Sequence, residues 1–239
     1  MLSIIIPTLN EEQYLPILLS EIKKQDFKSV YEVIVADAGS ADKTVKIAKS
    51  FGCKVIKGGM PGKGRNEGVK AAKGDILVFL DADTTLPPNF FNKFLKEFAR
   101  RRLDVAGCSM KIPGKKRVYR LFEKLCRMYF MSTAKFYPHA TNCIVIRKWL
   151  HNEIRGFDES IKLGEEFDYI RKAAKKGKFG FLHKIWFFAS PRRAEEDMAK
   201  IIVQYFLAEV YMTFVGPIRS DILKYRFEHL PKEKNVRLT

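Results

Sequence analysis

Three short apolar runs early in the chain each end abruptly in a polar cluster, and this pattern restricts the fold more than any other feature. Leu2–Ile6 gives way to Pro7, Thr8, Asn10 and Glu11. Glu32–Ala36 is followed by Asp37, Gly39 and Ser40, and Ile76–Leu80 by Asp81 and Asp83. Runs this short, bounded by turn residues, predict strands. Between them, residues 11–24 carry Leu15, Leu18, Leu19 and Ile22 at helical spacing, and 41–51 and 63–73 also read as helices. Lys54–Ile56 adds a further strand. Alternating strands and helices predict an α/β fold: a mixed, mostly parallel, Rossmann-like sheet flanked by helices. In such sheets ligands sit beyond the carboxyl ends of the strands, so the three polar clusters should meet at one edge.

The second half is less regular. Val105–Met110, Asn142–Ile146 and Phe179–Ala189 read as strands, Glu165–Lys176 as a helix, and 194–215 as one long helix. The 239 residues include 46% hydrophobic ones, enough for a substantial core. The four cysteines contain no C-x-x-C pair, which argues against a disulfide framework or zinc site and for a reducing compartment. The N-terminus lacks the basic segment of a signal peptide. These features predict a cytoplasmic protein. The formal net charge of +17 implies attraction to phosphates, acidic lipid or nucleic acid.

Asp81 and Asp83 stand one residue apart behind the apolar strand ILVFL. Such a pair can share a hard cation, Mn²⁺ or Mg²⁺, which in turn can bridge a diphosphate. Taken alone the D-x-D spacing is weak. Asp37 can accept from a base or ribose, or simply close an Asx turn. The stretch GMPGKGRNEGVKAAKGD matches neither the dinucleotide fingerprint nor the P-loop. Its Lys63 and Arg65, ahead of a helix, can meet donor phosphates; a flexible turn is the plainer alternative.

Taken in order, IPTLNEE, VIVADAGSADKT, GKGRNEGVKAAKGD and FLDAD resemble the family 2 glycosyltransferases with their GT-A fold, over about residues 1–195. The resemblance implies a GT-A catalytic domain at 1–195 and a C-terminal helical appendage at 196–239. It implies that Pro7, Asn10, Glu11 and Asp37, with Thr8 and Gly39 in the same loops, bind the nucleotide. Asp81 and Asp83 would hold the ribose and a metal-bound diphosphate. The family's downstream motif is matched by Gly156-Phe157-Asp158-Glu159 and then Glu165-Glu166, where the usual Glu-Asp pair is Glu-Glu. Glu166 therefore inherits the role of general base, and the longer side chain leaves Glu165 or Asp168 able to replace it. Arg192 and Arg193 match a segment placed over the donor diphosphate, and His183 is a further candidate metal ligand. The implied reaction is inverting transfer from a UDP- or GDP-sugar to a sugar or lipid-linked acceptor.

Residues 201–218 read IIVQYFLAEVYMTFVGPI, near the lower limit for a membrane span but interrupted by Gln204 and Glu209. A helix packed on the domain or lying at the inner face of the cell membrane is expected. The basic segment 111–127, with Tyr119 and Phe122, would join that peripheral contact. Two other readings remain. A sugar-phosphate nucleotidyltransferase would need a Gly-rich, Arg-bearing turn after its first strand, where this chain has PTLNEE. A nucleic-acid or membrane-binding module would need a basic stripe with stacking aromatics; no nucleic-acid partner is expected.

Overall fold

The computed structural model describes residues 1–27, 29–140, 142–190, 203–204 and 206–220. Seven strands form one sheet: β1 (Leu2–Thr8), β2 (Tyr31–Asp37), β3 (Lys54–Lys57), β4 (Ile76–Leu80), β5 (Val105–Lys111), β6 (Cys143–Arg147) and β7 (Phe179–Phe188). Their order is β3-β2-β1-β4-β6-β5-β7. Every neighbouring pair is parallel except the two made by β6. The mixed, mostly parallel sheet expected from the apolar runs is thus present, with β4 at its centre and β1 beside it.

Seven helices connect the strands: α1 (Leu15–Lys23), α2 (Thr44–Ser50), α3 (Pro61–Ala71), α4 (Phe90–Arg100), α5 (Arg117–Thr133), α6 (Lys148–Glu153) and α7 (Glu165–Lys176). A strand buried on both faces reads as a continuous apolar run, and β1 shows why. Ile4 and Ile6 pack with α1, α2 and α4, while Ile5 packs with α3, α6 and α7 on the other face. α4 and α6 lie outside the elements predicted above. α4 is strongly amphipathic, with Phe90, Phe91, Phe94 and Phe98 buried; aromatic residues with polar ones between them do not proclaim a helix. The basic segment after β5 is a 17-residue helix, α5.

The glycine-rich stretch is no flexible turn. It forms α3, whose glycines let the helix lie flush on the sheet. A Cβ at Gly64 would come 3.2 Å from Cβ of Pro7, and one at Gly68 would come 2.3 Å from Cγ2 of Ile5.

A C-terminal helix, helical at 203–204 and 206–214, packs Ala208 and Met212 onto the domain. Among the described residues no helix is long and apolar enough to cross a membrane.

Candidate active site

The carboxyl ends of β2, β1 and β4 lie side by side, and the loops leaving them are laced together. Asn10, in a left-handed conformation that asparagine tolerates, accepts the Ala41 N–H through Oδ1 at 2.8 Å. The Glu11 N–H donates to Oγ1 of Thr44, and the Asn10 N–H to Oγ of Ser40. Asp37 lies beneath this stitching and is buried. Its carboxylate accepts from Oγ1 of Thr8 (3.0 Å), Oγ of Ser40 (2.5 Å) and the N–H groups of Gly39 and Ser40 (2.9 and 2.8 Å). Asp37 therefore closes an Asx-type turn. Two of its four donors are hydroxyls, which can rotate to make way for another donor.

The second half of the site is built around Arg65. Its residue is 4% exposed, on the sheet-facing side of α3. Nη2 donates to Oδ1 of Asp81 at 2.8 Å, and Nη1 to Oε1 of Glu165 at 2.6 Å. These two carboxylates hold the guanidinium charged although burial opposes it. The other oxygen of Asp81 accepts from Nδ2 of Asn142 at 2.6 Å. Arg65, a candidate for donor phosphates, clamps the end of β4 to the start of α7. Lys63, two residues earlier, is exposed at the first turn of α3.

The order of α7 sorts the three candidate bases. Gly164 precedes the helix with φ +75, and a Cβ there would come 2.8 Å from Sδ of Met212, so glycine suits this entry. Glu165 is committed to Arg65. Asp168 pairs with Nζ of Lys172 at 2.7 Å, one turn further on. Glu166 is only partly exposed, and burial together with repulsion from Glu165 pushes its pKa up to about 8. Repulsion from Asp81 adds to this rise and the charge of Arg65 works against it. Once ionised, a carboxyl of this kind is a stronger base than an ordinary one.

The donor set fits a hard divalent cation. Among the described residues no three potential ligands gather, and the D-x-D pair Asp81 and Asp83 stands at the end of β4. One or two carboxylates, completed by phosphate and water, is the usual provision for Mg²⁺. Both Asp81 oxygens already accept from protein donors. His183, the further candidate ligand, stands on β7. It lies at the irregularity in β7, where its C=O accepts from Oγ of Ser109. The part of β7 that reaches the turn is Phe188, bridged to Thr85. Arg192 and Arg193 lie outside the described residues.

Two asparagines escaped the sequence reading. Asn142 secures Asp81. Asn66, beside Arg65, accepts the Phe157 N–H through Oδ1 (2.9 Å) and donates through Nδ2 to the Phe157 C=O (3.0 Å). Phe157 in turn stacks on Tyr169 of α7 at 3.7 Å. Asp158 accepts from Ser160 and from Nη2 of Arg219, and these bonds depress its pKa to about 2. Within Gly156-Phe157-Asp158-Glu159, at least Phe157 and Asp158 thus brace the loop that leads to α7. An asparagine next to a motif carries no periodic signal; only its juxtaposition in space marks it.

The seven-stranded mixed sheet, with Asp37 and Asp81 at the carboxyl ends of its parallel strands, is a GT-A fold. Solved structures agree. A fragment of TarS from Staphylococcus aureus in complex with UDP superposes with a TM-score of 0.67 at 24% identity, covering 90% of this chain and 72% of that one. The mannosyltransferase PcManGT from Pyrobaculum calidifontis, in complex with GDP-Man and Mn²⁺, gives 0.65 at 20% identity, covering 78% and 56%. The family model "Glycosyl transferase family 2" matches residues 3–154, and the chain belongs to that family. Over 90 residues it is 39% identical to the poly(ribitol-phosphate) beta-N-acetylglucosaminyltransferase TarS of Staphylococcus aureus, a match spanning 34% of this chain and 16% of that relative.

Proposed function

We propose that the chain transfers a sugar from a nucleotide diphosphate donor, a UDP- or GDP-sugar, to an acceptor hydroxyl with inversion at the anomeric carbon. The observation that carries this reading is the meeting of Asp37, Asp81, Arg65 and the Glu165–Glu166 pair at one sheet edge. Family membership supports the class of reaction, and neighbours solved with UDP and with GDP-Man and Mn²⁺ support the donor class.

The loop Pro7–Glu11 and the Asp37 turn would receive the nucleoside. Asp83, with Asp81 behind it, would hold Mn²⁺ or Mg²⁺, which when bound supplies positive charge to the departing diphosphate. Glu166 takes the proton from the acceptor hydroxyl as its oxygen attacks the anomeric carbon. The bond to the diphosphate oxygen breaks, and that oxygen keeps the electron pair. Glu165 and Asp168 are spent on Arg65 and Lys172, which favours Glu166 over both as the base. Arg65 keeps Asp81 and the start of α7 at fixed separation, so metal side and base side stay in register. The acceptor is a sugar or a lipid-linked molecule.

A thermal-shift panel of nucleotide sugars with and without Mn²⁺ tests the reading, because a ligand that binds the folded state raises the melting temperature by mass action. One donor should give a metal-dependent shift that Asp83→Asn removes. Glu166→Gln should keep that shift and lose transfer by about 10²-fold or more. Full transfer by Glu166→Gln would take the base assignment away.

A further inference from the structure

Helix α5 has three faces, and the proposed chemistry uses none of them. Tyr119 is buried and Phe122 packs beside it, so the aromatics expected at a surface point inward. Val118, Leu121, Leu125 and Met128 form an exposed row, Leu121 at 57% and Met128 at 54%. Arg117, Arg120, Lys124 and Arg127 form a second exposed row beside it. At 100° per residue the four apolar positions fall within one 80° sector and the four cations within the adjoining one. Glu123, the helix's sole acid, turns inward to accept the Ile112 N–H at 2.6 Å. The outer surface of α5 is thus a hydrocarbon strip edged by cations with no carboxylate to offset them.

The strip does not end with α5. Tyr129, on its edge, donates its hydroxyl to Oε1 of Glu209 at 3.2 Å, tying α5 to the C-terminal helix. That helix turns Ala208 and Met212 inward and leaves Val203, Phe206, Leu207, Val210 and Phe214 exposed, Phe206 at 66% and Phe214 at 83%. These positions recur at i, i+3, i+4, i+7 and i+11, one helical face. Two adjacent helices therefore present apolar faces to the outside, far more than the scattered exposure normal for a soluble surface.

We infer that α5 and the C-terminal helix together form a docking surface for a bilayer containing anionic lipid. Charge complementarity selects this occupant. An apolar strip sinking to the acyl boundary places flanking Arg and Lys among phosphates. A second copy of this chain would bring like cation rows together. The inward face of the same helix and the chain just after it pack beside the reaction centre: Met212 against Gly164, the residue before Glu165 and Glu166, and Ile218 bridged to Leu163. Resting on the proposed transfer reaction, the placement makes the acceptor a lipid-linked one, delivered along the membrane to Glu166.

Co-sedimentation of the full chain with vesicles tests the surface without any donor or acceptor. Vesicles of phosphatidylcholine with about a third phosphatidylglycerol should bind the chain at least tenfold better than phosphatidylcholine alone. Leu121→Gln/Leu125→Gln/Met128→Gln should lose that binding about tenfold while keeping its melting temperature and metal-dependent donor shift. A charge-only contact would survive the triple variant and vanish in salt; that result, or equal binding to both vesicle types, overturns the proposal. So does a dimer, seen by light scattering, that the triple variant dissolves. Vesicle binding by a chain that transfers no sugar would sink the reaction and the lipid-linked acceptor but leave the surface standing.

Discussion

Glu166 sits where burial and two neighbouring carboxylates oppose its charge, and stability should register this. Its pKa stands at about 8 in the fold against an ordinary 4.5. Folding thus prefers the protonated form; that contribution is full below pH 4.5 and is lost as the pH rises through 8. Glu166→Gln keeps the shape without the charge. The variant should melt above the parent beyond pH 8, by on the order of 2–3 kcal/mol after allowing for its accessible edge. The gap should close towards pH 4.5. Superimposable melting curves across that range would contradict it. Arg65 is the converse case. Arg65→Met should cost about 3 kcal/mol in chemical denaturation, since Glu165 stays buried and Asp81 half-buried without their cation. Arg65→Lys should recover only part, because one ammonium lacks the fork that spans both acids. The residue types of this site were legible in the sequence because strand ends and motif order announce them. Their partners were not. Nothing in GKGRNEG says that Arg65 faces two carboxylates rather than a ligand, for sequence spacing does not encode a contact 100 residues away.

At the level of elements, periodicity served well where the environment was uniform. β1, β2 and β4 are apolar because helices cover both sides of them, and α7 begins and ends at the predicted residues, Glu165 and Lys176. The helix read at 63–73 is present as α3, Pro61–Ala71, against local propensity. The glycines of α3 look like a loop on propensity alone, since each weakens a helix by about 1 kcal/mol. The sheet overrides that cost because only a residue without Cβ lets α3 approach β1. Gly68→Ala tests this reading. A loop glycine would gain stability on replacement. Here the methyl would fall 2.3 Å from a fully buried isoleucine, and the net result should be a loss of about 1–2 kcal/mol in denaturant melts. α5 gave the opposite difficulty: its basic residues were plain, but which aromatics faced out depended on the helix being present and on how it was rotated.

The whole molecule joins these parts through Glu209. Its Oε1 accepts from Nε2 of His139 at 2.8 Å, Nη2 of Arg171 at 3.2 Å and the Tyr129 hydroxyl at 3.2 Å. One carboxylate thereby ties the C-terminal helix to α5, to the segment before β6 and to α7. Burial works against its charge, yet the bond from His139 and the charges of His139 and Arg171 lower its pKa overall. Its contribution is therefore present above pH 4.5 and disappears as the pH falls through the depressed value. Glu209→Leu should remove that acid-sensitive step. It should also leave Arg171 and His139 without their acceptor, costing about 2 kcal/mol. The consequence should reach α7, because Met212 packs on Gly164, Ile218 bridges Leu163 and Arg219 grips Asp158. Amide exchange in residues 160–168 should accelerate about tenfold or more in Glu209→Leu, with strands β1 and β4 unchanged. Donor-induced thermal shift should persist while turnover falls, since the nucleotide loops lie on the far side of Arg65. Unaltered exchange in 160–168 would mean that the C-terminal helix rides on the domain without holding the base in place.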